Sequence, residues 1–514
     1  MAPVRNFQVT FYAMAVAMTN NPAMIAVFLA VLAGTSLVAL TARWFRRVDD
    51  LPTLEDWALA GRRFGAVVTW FLLGGTIYTA YTFAAVPGLV YGVGALGFFA
   101  LPYTVIVYPL AFVLLPRLWR AAKQHGCVTV ADYVKARYGS APLALVVALT
   151  GILATMPYIA LQLVGIRAVL SAGGLYPRGW AGDLALVAVF AVLAAATYRY
   201  GLRAPAVISL VKGAAIFGAV IGVVAVVLSR LGGAGWIFEA AERNLTGRPG
   251  APSLVLEPEM FPAFASLALG SALALLMYPH VLTAAFAAAS AQALRKVTIA
   301  LPVWTAVLGL FGLLGIIALA AGVQAPPGNA EAALPLLIQR LMPAALTGAL
   351  FGALAVGALV PAAVMSIAAA TAFVRNVYVE YFNPFATPKY QTRVAQWVSL
   401  TTKVGAVAFV LGLRNQDAIN LQLLGGVWIL QTFPSVALGL FTRWSHGWAL
   451  LGGWLAGMVA GTLMIVWDGF SAVITLGVPA YAGVVALAVN VVVTLVLTPF
   501  ARSLPSRPLP VRPV

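Results

Sequence analysis

Long apolar stretches separated by short polar or basic segments follow one another along almost the whole chain. A helix rises about 1.5 Å per residue, so roughly 20 residues are needed to cross a hydrocarbon core of about 30 Å. Thirteen stretches approach or exceed that length, and we predict a transmembrane helix in each. They lie at 23–42, 66–92, 95–116, 141–170, 181–198, 205–229, 263–290, 297–322, 343–374, 394–413, 418–441, 447–467 and 472–499.

The second stretch is not a plain apolar helix. It carries a glycine pair at 74–75, hydroxyl side chains within 76–82 and a Pro-Gly pair at 87–88. Glycine and proline loosen the helical hydrogen-bond ladder, and freed backbone at membrane depth is tolerated only where it lines a polar cavity. We interpret the stretch as an unwound helix at a solute site. The alternative is a small-residue face that packs against a neighbouring helix.

Composition places the chain among polytopic membrane proteins. Of its 514 residues, 62% are hydrophobic and 9% are charged, with a mean hydropathy of +0.97. Soluble domains do not have that balance. The net charge of +17 does not indicate nucleic acid, because the basic residues are dispersed between apolar stretches. The single cysteine, Cys127, excludes an internal disulfide.

The basic residues also predict the topology. With the N-terminus outside and the C-terminus in the cytoplasm, the inner loops carry about three times as many Lys and Arg residues as the outer ones, as the positive-inside rule requires. On this map every Asp and Glu falls in a loop. We therefore predict a multi-pass protein of a bacterial-type inner (plasma) membrane, without a carboxylate-based proton relay inside the bilayer.

The remaining segments carry no sign of an enzyme. The inner segment 128–139 has its apolar positions at helical spacing and ends in Gly139, which predicts a short interfacial helix. A second short helix is predicted outside, around 236–244. No phosphate loop, nucleophile motif or metal-ligand spacing occurs, so we expect no catalytic residue, cofactor or metal site. A channel is not favoured because the stretches lack a continuous polar stripe.

Four motifs resemble the sodium:solute symporter family. They are LEDWALAGRR at 54–63, VTVADYVKARYG at 128–139, MPYIALQLVG at 156–165 and FVRNVY at 373–378. The resemblance covers most of the chain, from about Glu55 to Thr442. Tyr278-Pro279-His280, together with the segment YTAYT at 78–82, is more similar to the monocarboxylate-permease branch than to the sugar or proline branches.

The resemblance implies an all-α membrane transporter, a single domain over 1–514. Its core would consist of two inverted five-helix repeats at 66–229 and 263–441, with 447–499 peripheral. Broken helices are then expected in the second and seventh spans. The seventh span does contain an interruption, at Tyr278-Pro279-His280. Paired interruptions of this kind indicate a binding site near the membrane midplane.

The family's sodium site is where this chain departs from the resemblance. The carbonyls of Gly75, Tyr78 and Gly357 correspond to sodium ligands, but the two hydroxyl positions are occupied by Val360 and Pro361. Losing two ligands in a dry site is costly for a cation. Lys212 lies about two turns into the sixth span, at the depth of Gly75. We hypothesise that its amine replaces sodium and bonds the carbonyls of Gly75 and Gly357; the alternative is a lysine that snorkels to the interface, as we predict for Lys403.

The predicted solute site combines hydroxyls of the second span with residues from family-equivalent helices. Its members are Thr76, Tyr78, Thr79, Thr82, Tyr158, Gln162, Tyr278, His280, Trp428 and Gln431. Each aromatic residue has an alternative role at the interface or in the bundle core. His280 has the alternative of a structural histidine. Helix N-termini at a break favour anions, so a small carboxylate or small amino acid is the expected solute.

The sequence thus predicts a secondary active transporter that works by alternating access. We expect sodium not to use its usual site and regard a proton as the alternative coupling ion, carried by Lys212 or His280. Two other hypotheses stay open. One is a sodium-coupled symporter with a shifted site that uses Ser366. The other is a membrane sensor that binds solute without strong flux.

Overall fold

Helices long enough to cross a bilayer make up most of the protein. The computed structural model describes residues 21–41, 53–177, 180–231, 233–246, 253–412, 418–501 and 503. Within these ranges eleven helices are long and apolar enough to span a membrane, and two shorter apolar helices occur at Ala66–Ile77 and Trp180–Ala191. The predicted count of thirteen therefore stays a prediction. Residues 1–20 and 504–514, which the predicted topology also includes, lie outside the described residues.

The α-helices are numbered in chain order. They are α1 Pro22–Thr41, α2 Leu54–Leu59, α3 Ala66–Ile77, α4 Val86–Val93, α5 Ala100–Gln124, α6 Val130–Tyr138, α7 Ala141–Ala172, α8 Trp180–Tyr200, α9 Arg203–Leu231, α10 Ala234–Thr246, α11 Phe261–Met277, α12 Pro279–Phe286, α13 Ala291–Ala300, α14 Pro302–Ala320, α15 Ala333–Leu341, α16 Ala344–Phe373, α17 Pro388–Gly412, α18 Ala418–Ile429, α19 Gly439–Phe441, α20 Gly447–Trp467 and α21 Ala482–Ala501.

Other helical types join or extend these elements. Short 3₁₀ helices lie at Gly94–Phe99, Pro258–Met260, Ala330–Ala332 and Leu430–Thr432, and π-helices lie at Tyr81–Ala85, Val374–Phe382 and Pro434–Leu438. Both predicted short helices outside the spans are present, as α6 and α10. A π-turn widens the backbone locally and is frequent at functional sites.

The structure corrects the last predicted span. The segment before α21 forms a hairpin of strands β1 (Val473–Leu476) and β2 (Val478–Tyr481), so the helix begins at Ala482 and not at 472. The reason is local: β-branched residues are frequent along β1, and Gly477 adopts a φ of +77° in the turn. The fold remains a helical membrane bundle with this one small sheet among the described residues.

Helix α16 is the central element of the bundle, and its sequence explains why. It consists largely of Ala, Gly and Val, and its most apolar segment is completely buried. Small residues let neighbouring backbones approach closely. A Cβ on Gly348 would lie 2.2 Å from the carbonyl oxygen of Met24, and a Cβ on Gly352 would lie 2.6 Å from Val31. Helix α1 therefore packs directly on α16 along these glycines.

Two of the family-like motifs meet at one end of the bundle, which we call the α6 face. Thr129 and Asp132 form a capping box that starts α6, and Gly139 ends the helix with a φ of +63°. The Asp132 carboxylate also accepts a hydrogen bond from Asn376 Nδ2 at 2.7 Å. Lys135 pairs with Glu380 at 2.6 Å. These contacts tie α6 to the π-helix that extends α16.

The opposite end of the bundle, which we call the hairpin face, is held by Tyr481. Its buried ring lies against the backbone of Gly270 on α11 and its hydroxyl against Gly426 on α18. The backbone nitrogen of Tyr481 donates to Ser266 Oγ at 2.9 Å, and its hydroxyl donates to the Leu423 carbonyl at 2.7 Å. The hairpin thereby connects α11 to α18.

Candidate functional site

Two transmembrane helices are interrupted in the middle of the bundle. Helix α3 ends at Ile77, and Tyr78 adopts extended torsion angles (φ −91°, ψ 93°) before the π-helix at Tyr81 begins. In the other half of the chain, α11 ends at Met277 and Tyr278 is extended (φ −61°, ψ 130°) immediately before α12. Pro279 starts α12 because its missing N–H is not needed there. Both interruptions occur where the sequence predicted them.

The amine of Lys212 lies in the first interruption. Its Nζ donates a hydrogen bond of 2.6 Å to the carbonyl of Gly75 and one of 2.9 Å to the carbonyl of Tyr78. The side chain is completely buried. A Cβ on Gly75 would lie 3.4 Å from Ser209 Cβ and 4.0 Å from the lysine Nζ, so α9 packs closely on this segment. The amine donates to two carbonyls that lack a helical hydrogen-bond donor because the helix is interrupted here.

The predicted second bond of Lys212 is corrected by this geometry. The amine reaches Tyr78 and does not bond to Gly357. Gly357 lies against other side chains: a Cβ there would be 2.9 Å from the Phe83 ring and 3.4 Å from Ile216. The two acceptor carbonyls, of Gly75 and Tyr78, therefore belong to the same broken helix. Because Tyr78 is extended, its carbonyl points to the amine that also donates to Gly75.

The two positions that we predicted to replace sodium-binding hydroxyls have no side-chain oxygen. Val360 and Pro361 are buried on α16. Ser366, the alternative ligand, donates to the Ala363 carbonyl at 2.8 Å and accepts a hydrogen bond from Ser399 on α17 at 3.2 Å. Its hydroxyl is therefore engaged between α16 and α17.

Lys403 is not at the interface, so the prediction that it snorkels is wrong. The side chain is 3% exposed, and its amine donates to Ser399 Oγ at 2.9 Å. Its position near the middle of α17 and the polar hydroxyl one turn away allow it to remain inside the bundle.

Three rings meet beside the second interruption. The centroids of Tyr158 and Tyr278 are 5.0 Å apart, those of Tyr158 and His280 are 5.2 Å apart, and those of Tyr278 and His280 are 5.3 Å apart. Tyr278 donates to the Gln422 carbonyl at 3.2 Å. Both ring nitrogens of His280 are buried without a hydrogen-bond partner among the described residues. An unpaired buried imidazole is costly, which makes this position a candidate ligand contact.

The hydroxyls of the first interruption divide into engaged and free groups. Thr76 donates to the Leu73 carbonyl at 2.9 Å, and Thr79 accepts from the Tyr81 nitrogen at 3.1 Å. The hydroxyls of Thr82 and Tyr81 are buried and find no partner in the part of the chain that the structure describes. These two groups and His280 are among the groups that stay open for a solute.

Gln162 supports the backbone of the break. Its Oε1 accepts from the Ala80 nitrogen at 3.0 Å and its Nε2 donates to the Tyr158 carbonyl at 3.1 Å. Both ends of the amide are thus bound to main-chain groups. The residue positions the unwound segment and leaves little capacity for a solute.

Trp428 and Gln431 lie elsewhere. The indole of Trp428 donates to Thr462 on α20 at 3.2 Å. The Gln431 side chain donates to the Val427 carbonyl at 2.9 Å, and Asn490 on α21 donates to the carbonyl of Gln431 at 2.9 Å. These side chains join α18 and the 3₁₀ turn after it to the last two helices, so the structure does not bring them together with His280 and Thr82. Resemblance alone cannot decide which face of a helix points to the centre.

Three residues near the site are absent from the set that the sequence predicts. Tyr81 lies in the predicted unwound stretch but is not among the predicted solute contacts, and its phenol hydroxyl is one of the free groups. Gln422 on α18 keeps its Oε1 buried and without a partner among the described residues. Trp304 packs against the first break: its ring stacks on Tyr78 with centroids 5.4 Å apart, and a Cβ on Gly74 would lie 2.3 Å from its indole nitrogen. A polar residue inside an apolar helix is the signal that could have found Gln422.

A bundle of bilayer-length helices, two of them broken around buried polar groups, is the architecture of a secondary transporter. The chain belongs to the sodium:solute symporter family, whose sequence profile matches residues 57–461. The predicted family and the prediction of a transporter in place of an enzyme are confirmed. The protein is a multi-pass integral membrane protein, and its partners are a small solute and the lipid bilayer.

Relatives and a solved structure agree with this assignment. The chain is 46% identical over 483 residues to the monocarboxylate transport permease protein of Rhizobium johnstonii, covering 93% of this chain and 96% of the relative. It is 32% identical over 466 residues to the uncharacterized symporter YodF of Bacillus subtilis, covering 89% and 90%. The substrate-bound, outward-open structure of a Na⁺-coupled sialic acid symporter matches with a TM-score of 0.74 and 15% identity, covering 96% of this chain and 100% of that one. That structural likeness shows the fold.

Proposed function

We propose that the protein is a secondary active transporter of small monocarboxylates in which the ammonium of Lys212 stands in place of the usual sodium ion. The observation that carries this proposal is the pair of hydrogen bonds from Lys212 to the carbonyls of Gly75 and Tyr78, at 2.6 and 2.9 Å. In the family resemblance these are two of the sodium ligands. An ammonium inside a bundle is rare and is normally functional.

The ligand set supports the loss of sodium. Val360 and Pro361 stand where two hydroxyls would complete the coordination, and neither has a side-chain oxygen. A sodium ion would therefore compete with a tethered amine for two carbonyls while lacking two further ligands. The covalent tether favours the amine because its effective concentration at the site is high.

The free groups of the site fit a small carboxylate. Thr82 and Tyr81 have hydroxyls able to donate hydrogen bonds, and His280 adds a nitrogen donor or acceptor from the second broken helix. An anion also balances the buried charge of Lys212, and a buried ion pair is less costly than a lone ammonium. The relative that is 46% identical to this chain is named a monocarboxylate transport permease protein. A small amino acid stays the alternative solute, although its ammonium would need an acceptor.

The proposal includes the coupling ion and the orientation. With no sodium at the usual site, a proton carried by Lys212 or His280 is the coupling ion. The N-terminus lies outside and the C-terminus in the cytoplasm of a bacterial plasma membrane, which makes the α6 face cytoplasmic. Residues 66–229 and 263–441 form the two inverted repeats, and 447–499 is peripheral.

Counterflow of labelled lactate into proteoliposomes tests the proposal. We expect uptake to persist when choline replaces sodium, and an acid-outside pH gradient to increase it. Lys212→Gln should abolish counterflow, whereas Lys296→Gln, an exposed lysine on α13, should leave it unchanged. Strict dependence on sodium would contradict the role of Lys212. Binding of lactate without flux would favour a sensor.

A further inference from the structure

The segment between α2 and α3 has an unusual backbone. Ala60, Gly61 and Arg62 are three consecutive residues with positive φ values of 51°, 67° and 54°. Residues other than glycine rarely adopt this conformation, and it persists only where surrounding contacts impose it. The turn joins α2 to α3, the first half of a broken helix. Such strain is concentrated at functional and switching sites.

The side chain of Arg62 supplies those contacts. Its Nε donates to Glu55 at 2.7 Å, and its Nη2 donates to the carbonyl of Cys127, in the loop before α6. The guanidinium carbon lies 5.9 Å from the ring centroid of Phe286, the last residue of α12. The side chain is 8% exposed. One arginine thus joins the start of one broken helix to the end of the other and to the loop at the α6 face.

The backbone reinforces this junction. The nitrogen of Phe64 donates to the Ala287 carbonyl at 3.2 Å, and the nitrogen of Ala289 donates to the Phe64 carbonyl at 2.9 Å. The indole of Trp119 donates to the Ala288 carbonyl at 2.9 Å. The ends of both broken helices at the α6 face are therefore paired to each other and attached to α5.

Two cavities of different size lie near the two ends of the bundle. Between α12 and the α6 face the described cavity has about 20 Å³, enough for one water molecule, and Phe286 is part of its wall. Near the hairpin face, a cavity of about 140 Å³ lies between α4, α11 and α18. At the end that Arg62 bridges, Trp119, Cys127 and Phe286 are all buried, so this end is closely packed.

We propose that Arg62 is the latch of the α6 face: it holds this face closed, and its contacts to Cys127 and Phe286 break when the transporter opens there. The inference rests on the proposed alternating-access function. It assigns Arg62 as a positioning residue for transport, acting through the ends of α3 and α12 and not through the solute.

The reactivity of Cys127, the only cysteine of the chain, can be used to measure how often the α6 face opens. Cys127 is buried, and its own carbonyl is the acceptor for Arg62. Burial and the nearby Asp132 raise the pKa of its thiol to about 12, while Arg62 and Arg375 lower it. Thiolate is the reactive form, so the thiol is unreactive while the face is closed. Removing Arg62 would raise this pKa further, and a faster reaction in that variant can only come from exposure.

The first experiment measures maleimide labelling of Cys127 in the purified full-length protein. We expect Arg62→Ala to increase the labelling rate about tenfold, which corresponds to about 1.4 kcal/mol of closed-state stabilisation. Arg63→Ala is the matched control, because Arg63 is adjacent, exposed and carries the same charge. Equal rates in Arg62→Ala and the wild type, or equal increases in both variants, would overturn the latch. If Arg62→Ala does not fold, Arg62→Lys replaces it, with an expected increase of about threefold because lysine lacks the planar fork.

The second experiment uses the unmodified protein. Saturating lactate should change the labelling rate of Cys127 at least about twofold, since a transporter that cycles must open the α6 face. An unchanged rate in protein that performs lactate counterflow would overturn the latch. Absent counterflow together with faster labelling of Arg62→Ala would overturn the proposed solute and retain the latch.

Discussion

Replacing Lys212 by methionine removes the amine while keeping most of the length and apolar volume of the side chain. Two hydrogen bonds are lost, to the carbonyls of Gly75 and Tyr78. A hydrogen bond to a charged group contributes about 1.5–3 kcal/mol, so the pair contributes about 3–6 kcal/mol to holding the unwound segment. The two carbonyls would also remain buried without a donor.

This loss is large compared with the energy of a transport step. A difference of about 1.4 kcal/mol changes an equilibrium tenfold, so we expect Lys212→Met to reduce lactate counterflow more than about 100-fold. Initial rates in proteoliposomes give the measurement, with gel filtration to verify that the variant remains folded. Lys296→Met, on the exposed side of α13, is the matched control.

Two results would refute the reasoning. If Lys212→Met retained more than about one-tenth of the wild-type rate, the amine would not be needed to hold the break. If the variant lost counterflow but recovered it at high sodium concentration, the site would accept an ion with the ligands it already has. We expect no such recovery, because Val360 and Pro361 provide no side-chain oxygen.

Three further perturbations follow from the packing and the chemistry of single residues. Gly74→Ala places a Cβ 2.3 Å from an indole nitrogen and should reduce uptake about tenfold, whereas Gly34→Ala, with nothing within 4 Å, should not. His280→Gln should raise the KM for lactate at least about tenfold, and Trp428→Phe should leave it within about twofold. Alkylation of Cys127 requires the α6 face to open, and opening removes the burial that raises the pKa of its thiol, so its rate should rise about tenfold per pH unit and level off near the ordinary thiol pKa of about 8.5.

The fold was predictable because a bilayer imposes long apolar helices that are visible in sequence. Breaks at Tyr78 and Tyr278 were also predictable, since Gly, Pro and polar residues rarely occur together in an apolar span that stays a regular helix. The hairpin at 473–481 was not, because a short β-branched segment is as apolar as a helix end. Strand and helix differ there only in periodicity over a few residues.

The site was predictable in position and less so in detail. The helical rise predicted the depth of Lys212 along α9, and with it the proximity of Lys212 to Gly75. Which second carbonyl it reaches depends on the torsion angles of Tyr78, which no residue pattern specifies. The orientation of Trp428 toward α20 and the buried position of Lys403 depend on how neighbouring helices rotate about their own axes. Rotation is set by packing partners far away in the sequence.

A cation that is covalently attached has a consequence for how transport is driven. A sodium ion brings energy because it enters from one side and leaves on the other, whereas the ammonium of Lys212 stays with the protein in every state. In the proposed mechanism it can therefore stabilise the broken helix of α3 and a bound carboxylate, but it supplies no gradient energy while it remains charged. Net accumulation then requires that a group at the site exchange a proton with both sides, or that one carboxylate be exchanged for another. Two residues are candidates for that group. His280 is buried without a hydrogen-bond partner among the described residues, and Lys212 donates a hydrogen bond to the interrupted segment after α3. A proton that binds to His280 or Lys212 together with the solute on one side of the membrane, and is released with it on the other, would supply the driving force that sodium otherwise provides.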